Sequence, residues 1–169
     1  MLRFIKYYKI VLIIIIGASV SSASEFKFGF VQSPQRNERG LNVNLEYIGN
    51  ELKDWRNPAP FIGLSKNVHG CTISVYTGLV WKKVLNDLIY IEGSLGFAFH
   101  SGSLKRKKNS KVKGRIFGSR LLFRESLAIG YLFKNNNNIT LFIDHISNAN
   151  LAPPNHGLTN LGVRYGFSL

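Results

Sequence analysis

Cysteine, acidic side chains and long apolar runs are all scarce in this chain of 169 residues. Cys71 is the single cysteine, so no intrachain disulfide stabilises the fold. Nine Asp and Glu residues stand against 22 Lys and Arg residues. After residue 24, no apolar run approaches the roughly 20 residues that a transmembrane helix needs. These absences exclude a disulfide scaffold and a bundle of membrane-spanning helices.

The N-terminus has the three parts of a secretory signal peptide. Three basic residues precede an unbroken apolar run at 10–16, and small residues at 21–23 suit cleavage. The apolar run is only about half of the roughly 20 residues that span a bilayer. No cysteine follows it where a lipoprotein would require one. We therefore predict that residues 1–23 are removed and that residues 24–169 form the mature protein.

The mature chain is expected to be strongly basic. Three cations leave with the leader, so 19 basic against nine acidic residues give a net charge of +10. Such an excess indicates an anionic partner, and export argues against nucleic acid. We expect a phosphate-bearing membrane surface instead. The densest basic cluster, within 102–114, is either a solvated loop or a basic rim that contacts the phosphates of lipopolysaccharide.

Alternating apolar residues recur along the mature chain between clusters of Asn, Gly, Pro and Lys, which is the pattern of strands and turns. The predicted strands are 25–33, 40–49, 58–68, 71–84, 87–101, 115–133, 138–148 and 157–169. An even count of eight matches the smallest closed outer-membrane barrels. We therefore predict one all-β domain, an eight-stranded antiparallel transmembrane β-barrel of the bacterial outer membrane.

The last predicted strand indicates which face meets lipid. Its large apolar side chains alternate with small or polar ones, and a narrow lumen suits the small polar set. In the sixth strand the same alternation directs Phe117 outward and Arg120 and Arg124 into the lumen. The alternative is a soluble β-sandwich or lipocalin-like barrel with its apolar face inside. The terminal apolar and aromatic strand favours the membrane protein.

Loop lengths predict the orientation of the barrel. Outer-membrane barrels have short periplasmic turns and longer extracellular loops, and we place both ends of the mature chain in the periplasm. The short connections at 85–86 and 134–137 are then periplasmic. Those at 34–39, 102–114 and 149–156 are extracellular.

A histidine and a serine stand two residues apart at the extracellular end of the seventh predicted strand. His145 and Ser147 therefore share one face, in the lipid-facing phase of Leu141 and Ile143. A serine hydroxyl becomes a good nucleophile when a neighbouring imidazole takes its proton. A polar pair on a membrane-facing stripe has little structural justification, so we interpret it as a catalytic pair.

The surroundings of this pair resemble the PagL family of lipid A 3-O-deacylases. The resemblance rests on His-Ile-Ser-Asn-Ala at 145–149, Pro-Asn-x-Gly at 154–157, Gly-Ser at 118–119 and Phe-Arg-Glu at 123–125. It covers the C-terminal third best, whereas the first half matches only in size and strand pattern. The resemblance implies an eight-stranded outer-membrane barrel that releases a hydroxy fatty acid from lipid A, without a cofactor.

By this resemblance Ser147 is the nucleophile and His145 the general base. Asn148 and Asn155 match asparagines near the family's site, which makes them candidates for orienting the base or stabilising the oxyanion. No metal-ligand cluster or Gly-rich phosphate loop occurs in the sequence, so we expect no metal.

The chain departs from the family at the acidic member of the triad, which aligns to Thr159. Threonine has no charge with which to stabilise an imidazolium. The turn near 135–138 pairs strands six and seven so that Glu125 is expected to lie opposite residues 145–147. A carboxylate on the lipid face is costly unless it is paired, so Glu125 is our preferred acid. Asp144 is expected to point into the lumen, and a simple Ser–His dyad is the alternative.

Two other functions remain open on the sequence alone. One is a non-enzymatic small barrel, structural or adhesin-like, in which the His–Ser pair is incidental. The other is a narrow pore, which is disfavoured because side chains fill the lumen of an eight-stranded barrel. The mass of lipid A discriminates between these functions and a deacylase, because only the enzyme removes an acyl chain.

Overall fold

The computed structural model describes residues 24–35, 38, 40–53, 56–105 and 114–169. The predicted signal peptide lies outside the described residues, and so does the basic cluster after Lys105. Within the described residues, no helix is long and apolar enough to cross a bilayer.

Eight strands close into a single antiparallel barrel in which each strand pairs with the next and the last pairs with the first. The fold class and the strand count are therefore as predicted, and most strand ends agree within two residues. The strands are β1 Glu25–Gln32, β2 Leu41–Ile48, β3 Ala59–Asn67, β4 Ile73–Val84, β5 Ile89–His100, β6 Leu121–Leu132, β7 Asn138–Ser147 and β8 Leu158–Ser168.

The outer surface of the barrel is apolar, as predicted for a lipid-facing wall. In β8, Leu161, Val163 and Phe167 are 45–55% exposed, whereas the intervening Arg164 is only 2% exposed. Large exposed apolar side chains continue around the other strands. A soluble protein rarely leaves so large an apolar surface in water. The soluble alternative is therefore wrong, because the apolar phase faces out and the polar phase faces in.

Charged side chains in neutralising pairs fill the lumen. The Lys27 Nζ lies 2.7 Å from Glu92 Oε1, and Arg124 Nη2 lies 3.1 Å from Asp144 Oδ2. Removing one partner of a buried ion pair costs roughly 3–5 kcal/mol, because the remaining charge is left unpaired. The Lys27–Glu92 pair joins β1 to β5, two strands that share no backbone ladder. Further pairs join Lys82 to Glu25 and Arg164 to Glu46.

The start of β6 differs from the prediction, which began this strand at residue 115. The strand begins at Leu121, because Gly118 adopts φ of +74° and breaks the extended backbone. Phe117 is consequently buried, with its ring centroid 4.2 Å from that of His100. Arg120 lies in the loop, exposed, and donates to the carbonyl oxygens of His100 and Gly102. Extending the alternation of β6 back to residue 115 therefore places both side chains wrongly.

Candidate active site

His145 lies between two polar side chains on one row of the barrel wall. It pairs with Glu125 on β6 and with Thr159 on β8. The predicted register of β6 against β7 is therefore confirmed. Because paired residues on neighbouring strands point to the same face, all three side chains project outward. They form what we call the outer row.

The imidazole of His145 is held by Thr159, a contact that the sequence reasoning missed. The distance between Nδ1 and Thr159 Oγ1 is 2.8 Å. The carbonyl oxygen of Thr159 in turn accepts a hydrogen bond from Ser33 Oγ at 3.0 Å. With Nδ1 protonated and donating to the threonine, Nε2 carries the lone pair that a general base needs. Thr159 carries no charge, but its hydroxyl orients the ring.

Glu125 and Asp144 occupy opposite faces, as predicted. Glu125 is exposed on the outer row among apolar neighbours. Asp144 is 5% exposed and lies in the lumen, where Arg124 and Asn160 bind its carboxylate. Glu125 is therefore the carboxylate that shares a face with His145.

Ser147 is half-buried at the end of β7, on the same face as His145 and directly opposite Phe123. The ring of Phe123 lies 5.6 Å from that of Phe97 on β5. The serine therefore stands beside an aromatic, outward-facing surface. It lies at the end of the barrel opposite to the first residue of β1 and the last of β8.

Asn148 and Asn155 close the loop that follows β7. The buried Asn148 side chain donates through Nδ2 to the carbonyl oxygens of Phe117, at 2.6 Å, and Ala152. Its backbone N–H donates to Asn155 Oδ1 at 3.1 Å. Asn155 Nδ2 donates to Asn150 Oδ1 at 3.2 Å, at the exposed side of the loop. Both asparagines thus shape the loop that begins directly after Ser147.

Gly118 connects this loop to the one before β6. A Cβ on Gly118 would collide with the carbonyl oxygen of Ala152. The segments 118–119 and 148–157, which are far apart in the chain, therefore meet at the barrel mouth beside the His–Ser pair.

Gly157 and Arg115 support the imidazole from the side, and the sequence reasoning missed both contacts. Gly157 has φ of +52°, and a Cβ there would lie 2.9 Å from Cε1 and 3.2 Å from Nε2 of His145. Arg115 Nε donates to the Gly157 carbonyl oxygen at 2.8 Å. The backbone N–H of Arg115 donates to the buried carboxylate of Glu38 at 2.8 Å. Arg115, from the connection between β5 and β6, thus holds Gly157 against the ring, and Glu38 holds Arg115.

Gly157→Ala is expected to lower turnover about 10-fold, because the added methyl group displaces the imidazole and small misplacements of a catalytic group are costly. Gly70→Ala is the matched control. Gly70 also has a positive φ, of +74°, but nothing lies within 4 Å of its Cβ position. Both variants carry similar backbone strain. Equal activity of the two purified variants would contradict the steric argument.

Among the described residues, no three or more His, Cys, Asp or Glu side chains are grouped so that they could hold a metal ion.

Comparisons with known proteins bear on the family and the fold. The sequence model of the family described as lipid A 3-O-deacylase (PagL) matches residues 22–168. The crystal structure of the outer membrane enzyme PagL superposes with a TM-score of 0.64 at 18% identity, covering 88% of this chain and 100% of that one. The N-terminal β-barrel domain of Pseudomonas aeruginosa OprF gives 0.59 at 11% identity, with coverage of 88% and 100%. At these low identities the two superpositions show a shared fold alone. No curated protein matches the chain significantly.

Proposed function

Since the chain belongs to the PagL family of lipid A 3-O-deacylases, we propose that it hydrolyses the ester-linked 3-O-acyl chain of lipid A. The reaction takes place in the outer leaflet of the bacterial outer membrane, where lipid A is located. Lipopolysaccharide is the substrate, and the chemistry needs no cofactor.

One observation carries this proposal: a His–Ser pair on the lipid-facing wall, with Thr159 hydrogen-bonded to the histidine and Glu125 opposite it. A polar row on that wall is costly in free energy because it contacts hydrocarbon, and polar residues in such places usually have a function. Its place at the end of β7 suits a substrate whose ester bonds lie just below the headgroup. Lipid A reaches such a site by lateral diffusion and does not need to enter the lumen.

The proposed reaction proceeds in two acyl-transfer steps. His145 Nε2 takes the proton of the Ser147 hydroxyl as Oγ attacks the ester carbonyl carbon, and the tetrahedral adduct forms. The bond between the acyl carbon and the 3-oxygen of the sugar breaks, and His145 returns the proton to that departing oxygen. Water then attacks the acyl-serine with His145 again as base, which releases the hydroxy fatty acid and restores the serine.

The remaining polar residues have supporting roles in this proposal. Glu125 supplies the negative charge that stabilises the imidazolium, and Thr159 fixes the ring through Nδ1. Because the side-chain N–H groups of Asn148 already donate to Phe117 and Ala152, Asn148 is better suited to positioning. Within the part of the chain that the structure describes, the Asn155 side chain donates to the exposed Asn150 alone, so it is the better candidate to stabilise the oxyanion.

The test is the mass of lipid A from cells or membranes that contain the protein. We expect a loss equal to one ester-linked hydroxyacyl chain, and fragmentation should place the loss at the 3 position. The same membranes with the Ser147→Ala variant are the control. Unchanged lipid A with a correctly folded wild-type barrel would favour the non-enzymatic alternative.

A further inference from the structure

Three buried polar side chains lie in the lumen directly behind the outer row. They are Arg124 on β6, Asp144 on β7 and Asn160 on β8, which are 2%, 5% and 7% exposed. Asp144 Oδ2 accepts a hydrogen bond from Arg124 Nη2 at 3.1 Å, and Oδ1 accepts one from Asn160 Nδ2 at 2.7 Å. One carboxylate thus joins three neighbouring strands. We call these three side chains the Asp144 clamp.

The clamp adjoins the outer row on all three strands. Each of its members is next in sequence to one of the residues Glu125, His145 and Thr159. Asp144 and Asn160 face each other one row below the outer row. Arg124, the member of the clamp on β6, pairs with Ile146 one row above the outer row. The ion pair therefore crosses behind the row that carries the proposed base and its two neighbours.

The β6 member is itself fixed to the opposite side of the lumen. Arg124 Nη1 donates to Ser94 Oγ at 3.2 Å, and its guanidinium carbon lies 4.1 Å from the centre of the Tyr76 ring. Glu46 lies 3.9 Å from the same guanidinium. These contacts reach β2, β4 and β5, so the clamp relates the three active-site strands to the rest of the barrel.

We propose that the Asp144 clamp positions the active site by holding β6, β7 and β8 in the register that keeps His145 between Glu125 and Thr159. This inference rests on the proposed function and extends it to residues that never touch substrate. On the outside, the outer row faces fluid lipid, which cannot hold side chains in place. Besides the loop contacts that end at Gly157, rigid support for the row is available from the lumen side. Catalytic groups need placement within about 0.5 Å, and an error of about 1 Å can cost on the order of 100-fold in rate.

The variant Asp144→Asn tests this role in the full-length barrel, purified in detergent. The substitution keeps the shape and the acceptor for Asn160 but removes the charge that binds Arg124. The control, Glu92→Gln, breaks the pair with Lys27, which is equally buried and spans 2.7 Å in the same lumen. Glu92 pairs with Ala128, three rows from Glu125. Both variants remove one carboxylate charge from the lumen and leave the cation with a more distant carboxylate, Glu46 for Arg124 and Glu25 for Lys27. Only the first disturbs the clamp.

Two readouts separate positioning from general damage. We expect Asp144→Asn to lower kcat on lipid A by about 10- to 100-fold with KM changed less than twofold. The ¹⁵N resonance of His145 Nδ1 should shift as its hydrogen bond to Thr159 weakens. Glu92→Gln should preserve kcat and the resonance, and Asp144→Glu, which keeps the charge, should recover part of the lost rate.

Several outcomes would overturn the inference. A folded Asp144→Asn variant with unchanged kcat and an unchanged His145 resonance is one, and equal losses in the Asp144 and Glu92 variants are another. If Asp144→Asn does not fold, Asn160→Ala is the second test. It removes only the uncharged hydrogen bond to Asp144, so we expect a smaller loss of kcat and a smaller shift of the His145 resonance. The resonance does not depend on turnover. If wild type leaves lipid A intact while the resonance still responds to position 144, the proposed function fails and the clamp stands.

Discussion

Ser147→Ala is expected to abolish acyl release, with a loss of rate on the order of 10³- to 10⁶-fold, as for other hydrolases that lose the nucleophile. His145→Ala should be nearly as severe. The double variant should be no worse than either single one, because nucleophile and base act as one unit. The measurement is deacylation of lipid A by purified protein in detergent.

Heat-modifiable migration on gels serves as the folding control for these variants, since a closed barrel resists detergent until it is heated. Ser168→Ala is the matched control, because Ser168 is an exposed serine at the other end of the barrel wall. It should retain full activity. Near-normal turnover by either catalytic variant would make the assignment of the His–Ser pair wrong.

The second large effect is expected for Glu125→Gln, which should lower kcat by about 100-fold or more, as when the acidic member of a triad loses its charge. Gln keeps the size and hydrogen-bonding capacity of Glu but removes the charge that stabilises the imidazolium. In a low-dielectric, lipid-facing site that charge matters more than it does in water. Thr159→Ala removes only a neutral hydrogen bond at Nδ1 and should cost much less. The rate of lipid A deacylation by the two purified, folded variants measures both effects.

The variant Glu125→Gln/Thr159→Glu makes this prediction sharper. Thr159 Oγ1 already lies 2.8 Å from His145 Nδ1, so a carboxylate at position 159 would approach the ring from β8. Position 159 is also where the acidic member of the family's triad aligns. We expect the double variant to recover much of the lost rate. Full activity of Glu125→Gln alone would instead indicate a dyad assisted by Thr159.

The strands, their faces and the register around the site could be read from the sequence because each depends on local spacing. Alternation with a period of two marks the lipid-facing phase, and His145 and Ser147 stand out because they interrupt it. The short turn after β6 fixes the pairing of β6 with β7, so residue spacing is enough to place Glu125 opposite His145. The same reasoning failed at residues 115–120, where Gly118 ends the extended backbone although the apolar alternation continues.

The loop contacts could not be predicted in this way. Glu38, Arg115 and Gly157 lie in three different connections, yet they form one chain of contacts that ends at the His145 ring. Nothing in the spacing of these residues indicates that they meet, because loops of irregular backbone have no period. Asn148 was identified by resemblance, but its bonds to Phe117 and Ala152 depend on how two loops fold together.

By itself the sequence determined the strand count, the face that meets lipid and the place of His145 and Ser147 on that face. These follow from residue types at short range, where geometry is set by the extended chain. Only the tertiary structure decided that Thr159 bonds Nδ1 of His145 and that Gly157 leaves no room for a side chain beside the His145 ring. The same is true of the bonds by which Asp144 joins Arg124 to Asn160. Such contacts depend on the register of β8 against β7, which follows a long loop, and on how the loops fold together, and spacing within one strand does not reveal either.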